Sequence, residues 1–201
     1  MKRILFIGAS IIDCGRDRDD FYSLGDGFVK KLVNKYLQGY EVLNRGIGGN
    51  TVQDLKARWE EDCIALKPDI VCVHIGINNA WRESDGILKE DNEKFDADYR
   101  WMMERVKSQL PNTKIIILEP CVFKVGAGTQ LFRDSLNKKI DIIRDIANDY
   151  AFVFIPLDGI FHSFRVQKKD EELLDDGVHP TDLGHEIIAC EVSKRLLNDG
   201  N

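Results

Sequence analysis

The sequence predicts an α/β protein: a three-layer α/β/α sandwich with a parallel sheet of five strands in the middle. Two observations support this prediction. Five short runs are almost continuously apolar, as expected of parallel strands covered on both faces; they span residues 4–7, 40–43, 70–75, 114–118 and 152–155. Helical patterns lie between these runs, and such β-α alternation predicts an open parallel sheet with right-handed crossovers.

The intervening helices are predicted from apolar residues at helical spacing. The segments cover residues 27–37, 51–66, 95–110 and 130–150, and a last helix runs from Thr181 or Asp182 to residue 196. For the second helix, Asn50 or Thr51 can serve as the N-cap. We expect the strand order 2-1-3-4-5. No linker, repeat or low-complexity segment divides the chain, so residues 1–201 are expected to form a single domain.

Composition narrows the class of function. The net charge is −6 and the pI is near 5.3, which argues against a general nucleic-acid binder and favours a small or neutral substrate. The five cysteines are scattered and form no C-x-x-C pair, so we expect free thiols and no metal site. No segment approaches the ~18 apolar residues of a membrane helix. The sequence therefore predicts a cytoplasmic protein without membrane or nucleic-acid partners.

Function in such a sheet lies at the carboxyl ends of the strands. The first strand ends in Gly8-Ala9-Ser10, which places a lone serine just past a buried strand. This serine is either a residue of a plain turn or a nucleophile. A serine hydroxyl is a poor nucleophile unless a base lies within hydrogen-bond reach.

The chain has four histidines that could supply this base: His74, His162, His179 and His185. We expect His74 to be a core residue, His162 to lie in a loop, and His185 to have a structural role on the last helix. His179 differs, because it follows Asp176 by three residues in a glycine-containing loop. A carboxylate so placed can fix the imidazole and stabilise the imidazolium, although many loops contain D-x-x-H by chance.

Two further strand ends could bind an oxyanion. Residues 46–51 are rich in glycine but match neither of the phosphate-binding motifs, because they lack the third glycine of G-x-G-x-x-G and have no G-K-S/T ending. Their N–H groups could donate to a developing oxyanion, or the segment could be a tight turn. Asn78, after the third strand, could donate through its amide or act as a turn former. Taken together, a serine, a glycine turn, an asparagine and a D-x-x-H pair make a complete acyl-transfer set.

These segments resemble the conserved blocks of the SGNH hydrolase superfamily, also called GDSL esterases. The matching stretches are FIGASIIDCGR, NRGIGGNT, HIGINNAWR and DDGVHP, and the resemblance spans residue 4 to about residue 190. It implies a flavodoxin-like SGNH hydrolase fold. The stretches GNTVQDLKARWEED and IGINNAWR most resemble intracellular acetylxylan esterases, which deacetylate xylo-oligosaccharides. A small-molecule or oligosaccharide ester is therefore the expected substrate.

The resemblance also implies roles for individual residues. Ser10 would be the nucleophile, His179 the base and Asp176 its partner. The oxyanion hole would consist of the Ser10 N–H, the Gly49 N–H and the Asn78 side chain. No metal or cofactor is implied.

Four other positions follow from the same resemblance. Trp81 and Arg82 would lie near the site, where an aromatic face and a guanidinium suit sugar recognition, although a structural role is equally compatible with each. Ala9 and Asn79 depart from the family pattern, which has aspartate at both positions. The loss of these two aspartates puts catalytic efficiency in doubt more than reaction type.

Two alternatives remain open at this stage. A lysophospholipase or thioesterase would use the same machinery and would differ in having an apolar acyl channel. A protein that binds its ligand without turnover is a second alternative, motivated by Ala9 and Asn79. The sequence leaves the oligomeric state open, a homo-oligomer included.

Overall fold

A computed structural model of the protein describes residues 1–89 and 91–197, and within them five parallel strands form one sheet. The order is β2-β1-β3-β4-β5, as predicted. Parallel pairing joins each neighbouring pair of strands. The strands are β1 (Arg3–Gly8), β2 (Glu41–Gly46), β3 (Ile70–His74), β4 (Lys114–Leu118) and β5 (Val153–Ile155).

Helices connect the strands and cover both faces of the sheet. They are α1 (Ser10–Asp13), α2 (Phe28–Tyr36), α3 (Val52–Ala57), α4 (Ile77–Ser84), α5 (Asn92–Gln109), α6 (Gln130–Asp149), α7 (Leu157–Phe164), α8 (Asp170–Leu173) and α9 (Asp182–Leu197). Within the part of the chain that is described, no helix combines the length and the apolar character needed to cross a membrane.

Two predictions about the helices are wrong. The single helix expected over residues 51–66 is broken at Arg58, and a π-helical turn, Glu60–Ile64, follows the break. Arg58 leaves helical geometry at φ −108° and ψ 8°, where its side chain reaches back to the sheet. His162 was expected in a loop but lies on α7, where its Nδ1 contacts the Asp158 carbonyl at 2.8 Å.

The apolar strands bury side chains on both faces, which explains their nearly continuous hydrophobic runs. On one face, Ile4 and Phe6 pack with residues of α2 and α9. On the other face, Leu5 and Ile7 pack with residues of α3, α5 and α6. The sheet is thus the middle layer of three, which confirms the predicted sandwich.

The first strand ends at a glycine because the neighbouring strand lies too close for a side chain. Gly8 pairs with His74 of β3, and a Cβ on Gly8 would lie 2.0 Å from the His74 carbonyl oxygen. The chain then turns at once into α1, where the Ala9 carbonyl accepts the N–H groups of Ile12 and Asp13. This turn places Ser10 at the carboxyl edge of the sheet. His74 itself is buried, as expected of a core residue.

Candidate active site

The structure brings Ser10, His179 and Asp176 into one line of contacts. Ser10 Oγ lies 3.1 Å from Nε2 of His179, and Nδ1 of His179 lies 2.8 Å from Oδ2 of Asp176. Because an ionised carboxylate only accepts hydrogen bonds, Nδ1 of His179 carries the proton in this contact. The Nε2 lone pair then faces the Ser10 hydroxyl, which is the arrangement a general base requires.

A second set of hydrogen bonds fixes the Asp176 carboxylate. Its Oδ1 accepts the backbone N–H of Val178 at 2.9 Å and that of His179 at 2.8 Å. Partial burial acts to raise the pKa of Asp176, but the hydrogen bonds from His179 and Val178 outweigh it and hold the pKa below its ordinary value. Asp176 is therefore an anion at neutral pH and holds the His179 imidazole in one tautomer.

The loop that carries Asp176 and His179 rests on a segment after β4 that the sequence analysis did not single out. The Phe123 N–H donates to the Gly177 carbonyl at 2.8 Å, and the Ala127 N–H donates to the Asp176 carbonyl at 2.9 Å. Gly177 has a φ of +87°, and a Cβ there would lie 2.3 Å from the Val125 carbonyl oxygen. Only glycine allows the two segments to approach this closely.

The glycine turn and Asn78 meet at the same edge of the sheet. Asn78 lies at the start of α4, and its Nδ2 donates to the Asn50 carbonyl at 3.0 Å. A side-chain amide has two N–H donors, so this contact orients Asn78 and leaves a second donor. In the turn, the Gly48 N–H donates to Asp13 Oδ2 at 2.7 Å. The next N–H along the chain is that of Gly49, which the family resemblance implies as an oxyanion donor.

Sequence reasoning missed Asp13. Its Oδ2 accepts the Gly48 N–H and also lies 2.6 Å from Nη2 of Arg18. Only 8% of Asp13 is exposed. Asp13 therefore ties the helix that begins with Ser10 to the glycine turn, and an acidic residue shortly after the candidate nucleophile was the available signal.

Arg58 was missed as well. Its Nε donates to Asn50 Oδ1 at 2.8 Å, its Nη1 to the Arg45 carbonyl at 2.9 Å, and its Nη2 to the Gly8 carbonyl at 3.0 Å. One guanidinium thus joins the ends of β1 and β2 to the turn that contacts Asn78. No sequence signal distinguished this arginine from a surface residue of a predicted helix.

Trp81 and Arg82 both lie beside the candidate site. The Trp81 ring centroid is 6.3 Å from that of His179 and 5.4 Å from that of Phe132. Arg82 donates from Nη2 to the Gly49 carbonyl at 2.6 Å, and its Nη1 lies 3.8 Å from Asp54. Trp81 therefore flanks the imidazole, and Arg82 holds the glycine turn from outside.

His185 has the structural surroundings that the sequence predicted for it. Its Nδ1 accepts the Phe28 N–H at 3.1 Å, and its Nε2 lies 3.4 Å from the Cys14 sulfur. Burial, with a contribution from Lys31, lowers the pKa of His185 to about 4. The ring is therefore neutral at physiological pH, and it joins α9 to the start of α2.

An open cavity of about 280 Å³ adjoins Ser10 and His179. Ile11, Cys14, Pro180 and His185 also line it. The cavity leads directly to the contact between the hydroxyl and the imidazole, so a small acyl ester can reach both groups.

One group of three potential metal ligands occurs among the described residues: Cys121, Asp158 and His162, whose ligand atoms lie within 4.8 Å of one another. The Asp158 carboxylate is already paired through both oxygens with Arg133, at 2.5 and 2.7 Å. Burial raises the pKa of the Cys121 thiol well above its ordinary value, which disfavours the thiolate a metal needs. These residues therefore do not fit a metal ion.

Ala9 and Asn79, the two positions that depart from the family pattern, have different surroundings. Asn79 is buried, and its Oδ1 accepts the Val52 N–H at 2.9 Å, while its Nδ2 donates to Gln53 Oε1 at 2.9 Å. An aspartate could make the first of these contacts but not the second. Ala9 is 1% exposed and belongs to the same apolar cluster as Val52. A carboxylate at position 9 would therefore be buried in apolar surroundings.

We predict that the effects of Ala9→Asp and Asn79→Asp on kcat/KM are coupled. Two buried carboxylates raise one another's pKa unless each has its own donors, and small displacements of Ser10 are costly in rate. A double-mutant cycle on p-nitrophenyl acetate should show an interaction free energy above ~0.5 kcal/mol, with the reaction type unchanged. Additivity within that limit would show that the two positions act independently.

Comparison with known proteins identifies the class. Residues 6–187 match the model of the GDSL-like Lipase/Acylhydrolase family, so the chain belongs to this family. An acetylxylan esterase of Geobacillus stearothermophilus is 37% identical over 199 residues, which cover 94% of this chain and 90% of that protein. These matches confirm the resemblance to the GDSL esterases and make the protein a carboxylic ester hydrolase.

Solved structures agree with this assignment. Axe2, an acetylxylan esterase from Geobacillus stearothermophilus, superimposes with a TM-score of 0.86 at 32% identity, over 98% of this chain and 95% of that chain. A protein of Parabacteroides merdae described as a GDSL-like lipase gives a TM-score of 0.90 at 30% identity, over 96% of this chain and 94% of that chain. The similarity thus extends over nearly the whole fold.

Proposed function

We propose that this esterase removes acetyl groups from carbohydrate esters through an acyl-enzyme. The observation that carries the proposal is the line of contacts from Ser10 Oγ through His179 to Asp176, at 3.1 and 2.8 Å. These contacts supply a nucleophile, a base and a carboxylate in the order that acyl transfer needs.

In the first half of the proposed reaction, Ser10 Oγ attacks the ester carbonyl carbon while Nε2 of His179 takes the hydroxyl proton. Asp176 stabilises the imidazolium through Nδ1. The carbonyl oxygen becomes an oxyanion, which accepts hydrogen bonds from the Ser10 N–H, the Gly49 N–H and Nδ2 of Asn78.

The tetrahedral intermediate then collapses. The bond between the acyl carbon and the sugar oxygen breaks, His179 gives its proton to that oxygen, and the acetyl group stays on Ser10. Water then attacks the acyl carbon while His179 takes a proton from it. The bond between that carbon and Ser10 Oγ breaks, His179 gives the proton to Oγ, and the acetyl group leaves as acetate. These steps use only the protein's side chains and backbone, the ester and water.

Solved structures of Axe2 support the proposed roles. Three of its variants are described as catalytic mutants, and they replace a serine, an aspartate and a histidine three residues beyond that aspartate. The spacing is that of Asp176 and His179 in this chain. Other Axe2 structures are described as an acetyl-xylooligosaccharide esterase, which supports an acetylated xylo-oligosaccharide as the substrate class. The five cysteines, all described and free, support a cytoplasmic location.

We predict that kcat/KM for p-nitrophenyl acetate exceeds that for the octanoate by at least about tenfold, with the butyrate between them. A buried methylene gains about 0.8 kcal/mol, so an apolar channel would favour the longer chain. The open cavity at Ser10 has apolar lining from Ile11 and Pro180 that Asp13 and His185 interrupt, and a second cavity, lined in part by Arg82, has polar residues such as Gln53 and Asp54 in its wall. Neither offers a continuous apolar path.

The measurement compares the three esters with acetate release from acetylated xylo-oligosaccharide. Faster hydrolysis of the octanoate would support the lysophospholipase or thioesterase alternative. Binding of the acetylated oligosaccharide without acetate release, together with no turnover of any ester, would show a protein that binds without catalysis.

A further inference from the structure

Two large aromatic side chains are exposed together beside the candidate site. Phe21 is 46% exposed and Tyr22 is 63% exposed, and their ring centroids lie 5.0 Å apart in an edge-to-face arrangement. Both belong to the loop between α1 and α2, in which six of the fourteen residues are charged. Adjacent exposed aromatic rings in such a loop indicate a surface that binds a ligand.

Hydrogen bonds hold this loop in place. The Asp17 N–H donates to Ser23 Oγ at 2.9 Å, and the Tyr22 N–H donates to Asp20 Oδ1 at 2.9 Å. The Phe21 carbonyl accepts from Nη1 of Arg45 at 3.1 Å. The backbone that carries the aromatic rings is therefore held before any ligand binds, which lowers the entropic cost of binding.

Phe21 forms one wall of a cavity of about 540 Å³, which we call the aromatic–arginine cleft. The Arg45 guanidinium packs on the Phe21 ring, with Cζ 4.0 Å from its centroid. Ile47 and Leu66 add two apolar side chains, and the other six lining residues are charged: the arginines Arg16, Arg18 and Arg45, and the carboxylates Asp19, Glu61 and Asp62. Three positive and three negative groups give no net charge, so the lining favours a neutral ligand over an anion.

The chemistry of the cleft fits a sugar ring. Guanidinium groups donate several hydrogen bonds and carboxylates accept several, so together they can bind hydroxyl groups that both donate and accept. An aromatic face packs well against the apolar C–H face of a pyranose. A lipid chain, by contrast, offers no groups that could form hydrogen bonds with this charged lining.

The cleft adjoins the nucleophile across the glycine turn. A Cβ on Gly48 would lie 4.0 Å from Nη2 of Arg18 and also 4.0 Å from Cβ of Ser10. Ile47, the residue before it, lines the cleft. A ligand that fills the cleft can thus continue across the turn to Ser10.

We infer that the aromatic–arginine cleft is a second carbohydrate subsite, which binds a neutral pyranose ring of the oligosaccharide remote from the ester being cleaved. This inference rests on the proposed function, because it takes the substrate to be an acetylated oligosaccharide. It predicts that the gain from a longer sugar chain depends on Phe21.

The test measures kcat/KM on acetylated xylobiose and acetylated xylohexaose, each relative to p-nitrophenyl acetate. Phe21→Leu keeps apolar bulk over Arg45 but removes the planar ring. It should lower the hexaose ratio, which is kcat/KM for acetylated xylohexaose divided by kcat/KM for p-nitrophenyl acetate, about tenfold, mainly through KM. Phe21→Trp should retain the ratio. The matched control is Tyr36→Leu, an aromatic 38% exposed at the end of α2, which leads to the amino end of β2 at the opposite edge of the sheet.

A second measurement separates this inference from the proposed function. Unacetylated xylohexaose has no ester, so its binding to the wild type and to Phe21→Leu, followed by calorimetry, does not depend on hydrolysis. If Phe21→Leu binds unacetylated xylohexaose more weakly than the wild type does, the subsite is supported, even if no acetylated sugar is hydrolysed and the proposed function fails. Equal binding by both proteins, or an equal hexaose ratio, would overturn the inference while leaving the esterase assignment intact.

Discussion

Ser10→Ala is expected to abolish ester hydrolysis, with kcat reduced about 10⁴-fold or more, while the protein keeps its fold. The Ser10 side chain makes one hydrogen bond, at 3.1 Å to His179, and that contact serves the proposed reaction. The Asp176 and His179 pair and the Asp13 contact to the glycine turn do not depend on the hydroxyl. The measurement is turnover of p-nitrophenyl acetate, together with the thermal unfolding midpoint.

Ser108→Ala is the matched control, because Ser108 is an exposed serine on α5 whose hydroxyl donates to the nearby Arg105 carbonyl at 3.2 Å. It should change neither turnover nor the unfolding midpoint. Labelling of the wild type by a fluorophosphonate, with the modified peptide identified by mass spectrometry, tests the nucleophile without any substitution. Near-normal turnover by Ser10→Ala, or a label elsewhere in the chain, would refute the assignment.

Lys139→Met is expected to have the largest effect on stability, a loss of about 3–5 kcal/mol in the free energy of unfolding. Nζ of Lys139 lies 2.9 Å from Oε1 of Glu83, and the two side chains are 0% and 7% exposed. Glu83 also accepts a hydrogen bond from Ser135 at 2.6 Å. Without the lysine, a buried carboxylate would remain uncompensated, which is the costly way to break such a pair. Urea denaturation measures the loss.

Two variants make this result specific. Lys168→Met removes an exposed partner of Glu172, at 3.5 Å with both side chains more than 40% exposed, and should leave the urea denaturation midpoint almost unchanged. Adding Glu83→Gln to Lys139→Met removes the uncompensated charge and should restore part of the stability. A loss below about 1 kcal/mol for Lys139→Met itself would mean that solvent reaches Glu83.

The buried pair also matters for the site. Glu83 lies on α4, the helix that carries Asn78 and Arg82, and Lys139 lies on α6. The interior of the fold and the edge of the sheet that carries the candidate site are therefore joined through one short helix. The sequence analysis had not predicted this helix, because its eight residues follow a strand closely and include few apolar positions.

Local patterns in the sequence were sufficient for the architecture. Strands such as Ile70–His74 are apolar on both faces because helices cover both faces, so burial can be read from composition alone. The identity of Ser10, Asp176 and His179 as candidates came from their position after strands and from the resemblance to a family. Neither kind of reasoning required knowledge of which atoms meet.

The sequence by itself therefore determined the sheet, its order and the three residues of the proposed acyl-transfer line. Only the tertiary structure decided what holds them: Asp13 against Gly48, Arg58 against three chain segments, and the residue 122–128 segment against the loop of Asp176. The physical reason is distance along the chain. Periodicity reports the burial of a residue through its near neighbours, whereas these hydrogen bonds join residues up to about 50 positions apart, whose meeting depends on the register of the folded sheet.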